Sequence, residues 1–131
     1  MEVRKLLLLD DDELSNLLIG SIIEDVRAIK NYKIENNGWN ALEYLKECDL
    51  KNNFPDLMLV DLKMPEMDGF DFIERYEAAY WKKYPKTKVM ILTSSRLEKD
   101  KEKAMVFKSV CRFIYKPLTE EKLMEIVEMA D

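Results

Sequence analysis

The sequence predicts an α/β fold built on a parallel sheet, and three observations carry that prediction. Short apolar runs alternate with helical patterns five times along the chain, an order that yields βαβ units and a parallel sheet. The runs Leu6-Leu7-Leu8-Leu9, Leu57-Met58-Leu59-Val60, Val89-Met90-Ile91-Leu92 and Phe113-Ile114-Tyr115 are continuous rather than alternating, as strands buried on both faces are. Each run stops at polar residues: Asp10-Asp11-Asp12, Asp61, Thr93 and Lys116-Pro117 respectively.

Taken in order, strand 1 is expected over 5–9 and helix 1 over 13–27. Leu14, Leu17, Leu18, Ile22 and Val26 stand at helical spacing as the apolar face of helix 1, with Asp12 as its N-cap. A more polar strand over 32–35 suits a sheet edge. Asn37-Gly38 opens a helix over 39–47 in which Ala41, Leu42 and Leu45 share one face, and a polar loop covers 49–55. Strand 3 is expected over 56–60, followed by a loop over 62–69 and a helix over 70–82 carrying Phe72, Ile73, Tyr76 and Tyr80. Pro85 interrupts the chain before strand 4, over 88–92. A charged helix over 98–108 leads into strand 5, over 111–115. Helix 5 starts near Thr119, where an N-cap is followed by Glu120 and Glu121, acids that suit the positive end of the helix dipole.

Composition narrows the function. At 131 residues the expectation is one domain over 1–131, with nothing left over for an output domain. The 47% hydrophobic and 36% charged content is that of a soluble globular protein. A net charge of −5 argues against nucleic acid as the main partner. No apolar stretch approaches the ~18 residues of a membrane span, and the four leucines near the N-terminus are too short for a signal peptide. Two cysteines, Cys48 and Cys111, are too few for a disulfide framework and fit a reducing cytoplasm. The chain contains no histidine, which excludes Ser-His-Asp and Cys-His catalysis and histidine metal sites. Its three glycines, at 20, 38 and 69, are too far apart for a P-loop or a dinucleotide-binding turn.

In an open α/β sheet the site lies outside the carboxyl ends of the strands. That rule gathers Asp10, Asp11, Asp61, Thr93 and Lys116 into one pocket. Two carboxylates ~4 Å apart at an effective dielectric of ~20 repel by ~4 kcal/mol. Such crowding persists only with raised pKa values, the nearby Lys116 or a bound cation to relieve it. Oxygen ligands that are few in number suit Mg²⁺, which keeps several waters and completes its shell with phosphate oxygens. Asp61, ending its strand, can act as a nucleophile, and aspartyl phosphates are an established form of covalent catalysis. The Thr93 hydroxyl can donate to a phosphoryl oxygen and the Lys116 ammonium can neutralise one. Phosphoryl transfer asks mainly for positioning and charge neutralisation.

The pieces Leu-Leu-Leu-Asp10-Asp11-Asp, Val60-Asp61-Leu-Lys-Met-Pro65-Glu-Met-Asp68-Gly69, Ile-Leu-Thr93-Ser94-Ser95 and Phe113-Ile-Tyr-Lys116-Pro117 stand in that order over essentially the whole chain. In this the chain resembles the stand-alone, chemotaxis-regulator-like receiver domain of response regulators in two-component signalling. The resemblance implies a flavodoxin-like, doubly wound (βα)5 fold with strand order 2-1-3-4-5. It implies that Asp61 accepts a phosphoryl group from a phosphohistidine on a sensor histidine kinase or histidine phosphotransfer protein. Mg²⁺ would be bound by Asp11, Asp61 and the backbone carbonyl of Lys63, with Asp10 assisting. Thr93 and Lys116 would bind the phosphoryl oxygens, Thr93 and Phe113 would form the switch, and helix 4, strand 5 and helix 5 would be the face that docks a downstream target. The chain departs from the family's usual pattern before strand 5, where Ser109-Val110-Cys111-Arg112 replaces a glycine. Lys63, two residues beyond the acceptor, could place a cation near the phosphoryl group.

Two other readings compete. Asp10-x-Asp12 after an apolar strand also resembles the nucleophile motif of haloacid-dehalogenase-type phosphatases, although Leu14 stands where Thr or Val is expected. The third is a receiver-like protein-binding module that takes up no phosphate. In the favoured reading the chain is a signalling protein, not an enzyme, and catalyses only its own phosphorylation and dephosphorylation.

Overall fold

The computed structural model describes residues 3–130. In chain order its elements are β1 (Val3–Leu9), α1 (Glu13–Val26), β2 (Ile29–Glu35), α2 (Gly38–Leu50), β3 (Leu57–Val60), α3 (Gly69–Tyr80), β4 (Lys88–Thr93), α4 (Glu98–Met105), β5 (Val110–Tyr115) and α5 (Glu120–Met129). The strands are parallel and lie in the order β2-β1-β3-β4-β5, as expected.

The continuous apolar runs follow from this arrangement. Successive side chains of a strand point to opposite faces, and both faces of the central strands are covered. Leu7, Leu9, Met58, Val60, Val89 and Ile91 pack against Leu45 of α2, Phe72 and Tyr76 of α3 and Ala104 of α4. Leu6, Leu8, Leu57, Leu59, Met90 and Leu92 pack against Ile19 and Ile23 of α1 and Leu123 and Ile126 of α5. Every residue of β3 is 0% exposed, so no position there tolerates a polar side chain until the strand ends.

Several boundaries differ from the sequence expectation. The edge strand β2 starts three residues earlier, because its ladder with β1 runs from Val3↔Ile29 to Leu9↔Glu35. Lys30 and Asn31 are exposed, so the apolar pattern carried no sign of them. Helix α3 ends at Tyr80, where the Tyr84 N–H turns back to the Tyr80 carbonyl at 2.9 Å and the Tyr84 ring stacks on Phe54 at 3.9 Å. Helix α4 is three residues shorter than expected and passes into β5 through turns from Phe107 to Ala104 and from Val110 to Phe107. Among the described residues positive φ occurs only at Arg27, Asn52 and Glu66. The segment Ser109-Val110-Cys111-Arg112 therefore makes its turn without a left-handed residue, and the missing glycine introduces no strain.

Helix α1 shows the largest correction. Its buried residues are Asn16, Ile19, Gly20 and Ile23, whereas Leu14, Leu17 and Leu18 are 66%, 73% and 59% exposed. Ile22 and Val26 do pack against the core as expected, but apolar residues surround most of this helix, so spacing alone placed the three leucines on the wrong face. Polar contacts set its phase. Asp12 caps the N–H groups of Leu14 and Ser15 at 3.0 and 3.2 Å, and Asn16 donates to the Asp10 carbonyl at 2.8 Å. Among the described residues no helix is long and apolar enough to cross a membrane.

Tyr76 is fully buried, and its hydroxyl has no hydrogen-bond partner among the described residues. An unpaired buried hydroxyl costs ~1–3 kcal/mol. Tyr76→Phe should therefore leave stability unchanged or raise it by ~1 kcal/mol in urea unfolding, and a loss of that size would reveal a partner for the hydroxyl.

Candidate functional site

The carboxyl ends of four strands, β1, β3, β4 and β5, build the site. Asp10 follows β1, where its N–H donates to the Glu35 carbonyl at 3.1 Å. It is 1% exposed. One carboxylate oxygen accepts the Asp12 N–H at 3.0 Å; the other accepts the Ser15 hydroxyl at 3.2 Å and the Lys116 ammonium at 2.5 Å. Asp61 follows β3, its N–H held by the Leu9 carbonyl at 2.9 Å. Its Oδ1 accepts the Leu62 N–H at 2.7 Å and its Oδ2 accepts Lys116 at 3.1 Å. Asp11 is exposed, yet Asp10, Asp11 and Asp61 each bring one carboxylate oxygen to within 4.8 Å of the others.

Gly69 sets how closely α3 approaches the Asp61 backbone. A Cβ there would lie 2.3 Å from the Asp61 carbonyl oxygen and 2.9 Å from Leu62 Cα, and the Gly69 N–H donates to the Leu62 carbonyl at 3.0 Å. Asp68 caps the helix through the Asp71 N–H at 2.9 Å. The Asp68-Gly69 pair therefore starts a helix and admits backbone packing at one point.

Thr93, at the end of β4, is fully buried. Its hydroxyl accepts the Ser95 N–H at 3.3 Å, and its carbonyl accepts the Lys116 N–H at 2.9 Å. The Lys116–Pro117 peptide bond is cis. Phe113 is half-buried against the core on the α2–α4 side and meets Tyr115 edge-on at 5.4 Å. The Arg96 guanidinium lies 4.4 Å from the centre of the Tyr115 ring.

Burial pushes the Asp10 carboxyl above its ordinary pKa, although the hydrogen bond from Lys116 and the Asp12 N–H oppose the shift. Burial pulls the Lys116 ammonium down, but its bond to Asp10 and the charge of Asp61 outweigh this and leave its pKa raised. Lys116 is therefore a firmly protonated bridge between two carboxylates.

The structure brings Asp10, Asp11, Asp61 and Lys116 together, whereas the Lys63 side chain takes a partner elsewhere. Its ammonium pairs with Asp100 of α4 at 3.2 Å. Asp100 is 6% exposed and also accepts the Ser95 hydroxyl at 2.6 Å, which first, and Lys63 second, hold its carboxyl below the usual range. Ser15, Asn16, Ser95 and Asp100 were not anticipated. Ser15 and Asn16 had a usable signal in their position just inside the helix that follows Asp10. The donor set of Asp10, Asp11 and Asp61 is all hard oxygen, which fits Mg²⁺ and not a softer metal.

Comparison with known proteins agrees with this geometry. Residues 6–128 match the model of the response regulator receiver domain family. The chemotaxis protein CheY of Listeria monocytogenes is 29% identical over 126 residues, covering 96% of this chain and 97% of that protein. The sensor histidine kinase CheAY of Helicobacter pylori is 36% identical over 94 residues, 70% of this chain but 11% of that protein. A two-component response regulator from Cytophaga hutchinsonii superposes with a TM-score of 0.91 at 25% identity, over 99% of this chain and 98% of that one.

The raised pKa of Asp10 has a consequence for stability. Between the ordinary carboxyl value and the raised one, the folded state binds more protons than the unfolded state, so stability falls as pH rises through that interval. At neutral pH with a chelator present, Asp10→Asn should melt above the wild type. That gain should shrink as pH falls into the ordinary carboxyl range, and a gain independent of pH would show that ionised Asp10 is not the cause.

Proposed function

The chain belongs to the response regulator receiver domain family of two-component signalling, and on that premise we propose that Asp61 is its phosphoacceptor. The supporting observation is the pairing of Asp61 Oδ2 with Lys116 at 3.1 Å while Lys116 also holds Asp10. A carboxylate oxygen of Asp61 attacks the phosphorus of a donor phosphohistidine, the P–N bond breaks, and the leaving imidazole takes up a proton. Lys116 and the Thr93 hydroxyl then bind phosphoryl oxygens. The Thr93 hydroxyl accepts the Ser95 N–H, which leaves its own proton to donate to a phosphoryl oxygen. Asp10, Asp11, Asp61 and the backbone carbonyl of Lys63 would hold Mg²⁺, which when bound neutralises charge at the phosphoryl group.

The output is a change of shape and not a chemical product, so the chain is not an enzyme beyond its own phosphorylation and dephosphorylation. Phe113, held half-buried at the end of the sheet, is the side chain that follows Thr93, and α4, β5 and α5 form the face read by a target protein. The donor is a sensor histidine kinase or histidine phosphotransfer protein in the cytoplasm. Leu14 and Leu18 of α1 share a cavity of about 340 Å³ with Lys116 and Pro117, so a donor reaching the site meets apolar surface beside it.

Incubation with a small acyl phosphate and Mg²⁺ should add the mass of one phosphoryl group to the intact chain and none to Asp61→Asn. Uptake by Asp61→Asn but not by Asp10→Asn would favour the phosphatase reading, and no uptake by the wild type would favour a binding module. Mg²⁺ at a hundred times its dissociation constant should stabilise the fold by ~2.7 kcal/mol. A melting temperature indifferent to Mg²⁺ would count against the metal site.

A further inference from the structure

Lys63 and Asp100 form a connection that phosphoryl binding alone does not require. The β3–α3 loop carries Lys63 and the first turn of α4 carries Asp100, and their ion pair spans the two at 3.2 Å. Leu97, the N-cap residue of α4, makes no side-chain capping bond. The first turn is held instead by Ser95, whose hydroxyl accepts the Leu97 N–H at 3.4 Å and donates to Asp100 at 2.6 Å. Asp100 thus receives both Ser95 and Lys63 on one oxygen. The Asp100 side chain is 8% exposed and the Lys63 side chain 61%, so the anion is fixed and the cation is free to leave.

The Cα atoms of Lys63 and Asp61 are separated by two peptide units, ~7 Å at most, within reach of a lysine side chain. A phosphoryl group carries nearly two negative charges at neutral pH, against the single charge of Asp100. From this geometry, and resting on the reading of Asp61 as phosphoacceptor, we infer that Asp100 is a positioning residue that parks the Lys63 ammonium on α4 until a phosphoryl group on Asp61 draws it away. Departure of Lys63 leaves the Asp100 carboxylate with Ser95 as its remaining side-chain partner and loosens the first turn of α4. In the resting state the same contact keeps a cation off Asp61, whose Oδ2 already has Lys116.

Amide hydrogen exchange at Asp100 and Lys101, whose N–H groups close on the Leu97 carbonyl at 3.0 and 3.3 Å, reads the turn directly. With the full chain, Mg²⁺ and a small acyl phosphate, intact mass first establishes that the wild type is phosphorylated. Exchange at both amides should then speed up several-fold on phosphorylation. Lys63→Gln should exchange fast in both states, with little further change on phosphorylation, and Lys63→Arg should behave as the wild type does. Asp100→Asn should match Lys63→Gln. If Lys63→Gln shows the wild-type increase on phosphorylation, on whatever resting baseline, the ion pair is merely structural and the inference fails. A wild type that gains no phosphoryl mass overturns the reading of Asp61, and this inference with it, before any exchange is measured.

Discussion

The Lys116 ammonium lies 2.5 Å from Asp10 and 3.1 Å from Asp61, and the carboxyl end of the sheet depends on it. Parallel pairing brings the ends of β1 and β3 side by side, with Leu9 opposite Val60, so Asp10 and Asp61 are neighbours by construction. Both are more than nine-tenths buried, where water screens their repulsion poorly. A single cation between them turns a repulsive pair into a bridged one. Its position is itself a product of the sheet, because the Lys116 N–H is pinned to the Thr93 carbonyl at the end of β4. Four strands thus converge on one charge, and a shift in any of them changes the spacing of the acids.

What the sequence disclosed follows from this dependence. The central strands were legible because burial on both faces forces continuous apolar runs, and a strand of that kind can change to charge only where it leaves the core. Asp10, Asp61, Thr93 and Lys116 all mark such exits. Asp12 was legible as a cap because its role is local, completed by Leu14 and Ser15. The phase of α1 was hidden because Leu14, Leu17 and Leu18 repeat at the same helical spacing as the residues that are buried. Contacts across the β1–α1 turn, from Asn16 to the Asp10 carbonyl and from Ser15 to the Asp10 carboxylate, separate the two faces. Lys63 with Asp100 was invisible for another reason. The pair joins the β3–α3 loop to the first turn of α4, 37 positions apart, and neither position has a periodic pattern to reveal it.

The two sides of the site are held with different firmness. Toward α1, Asp10 is fixed by bonds to both carboxylate oxygens and to its carbonyl, all from buried or half-buried groups. On the side of α3, Gly69 lets the helix rest on the Asp61 backbone with no room for adjustment. Toward α4 the contacts are fewer and can be exchanged. Thr93 holds Ser95 through one 3.3 Å bond, and Lys63 reaches Asp100 with a mostly exposed side chain.

That asymmetry gives a change at Asp61 a direction. A new anion at Asp61 cannot displace Asp10 without breaking a packed set of hydrogen bonds, nor push α3 away without opening the core around Phe72 and Tyr76. In the proposed switch it would draw on the Thr93 hydroxyl and the Lys63 ammonium, each of which has an alternative contact toward α4. Both alternatives end at Asp100, one through Ser95 and one directly. In the proposed switch the change would reach the first turn of α4, which has no capping side chain at its N-cap position and is held by Ser95 and Asp100. Rigidity on the Asp10 and α3 sides and looser polar contacts on the α4 side would let a local change of charge become a change of surface.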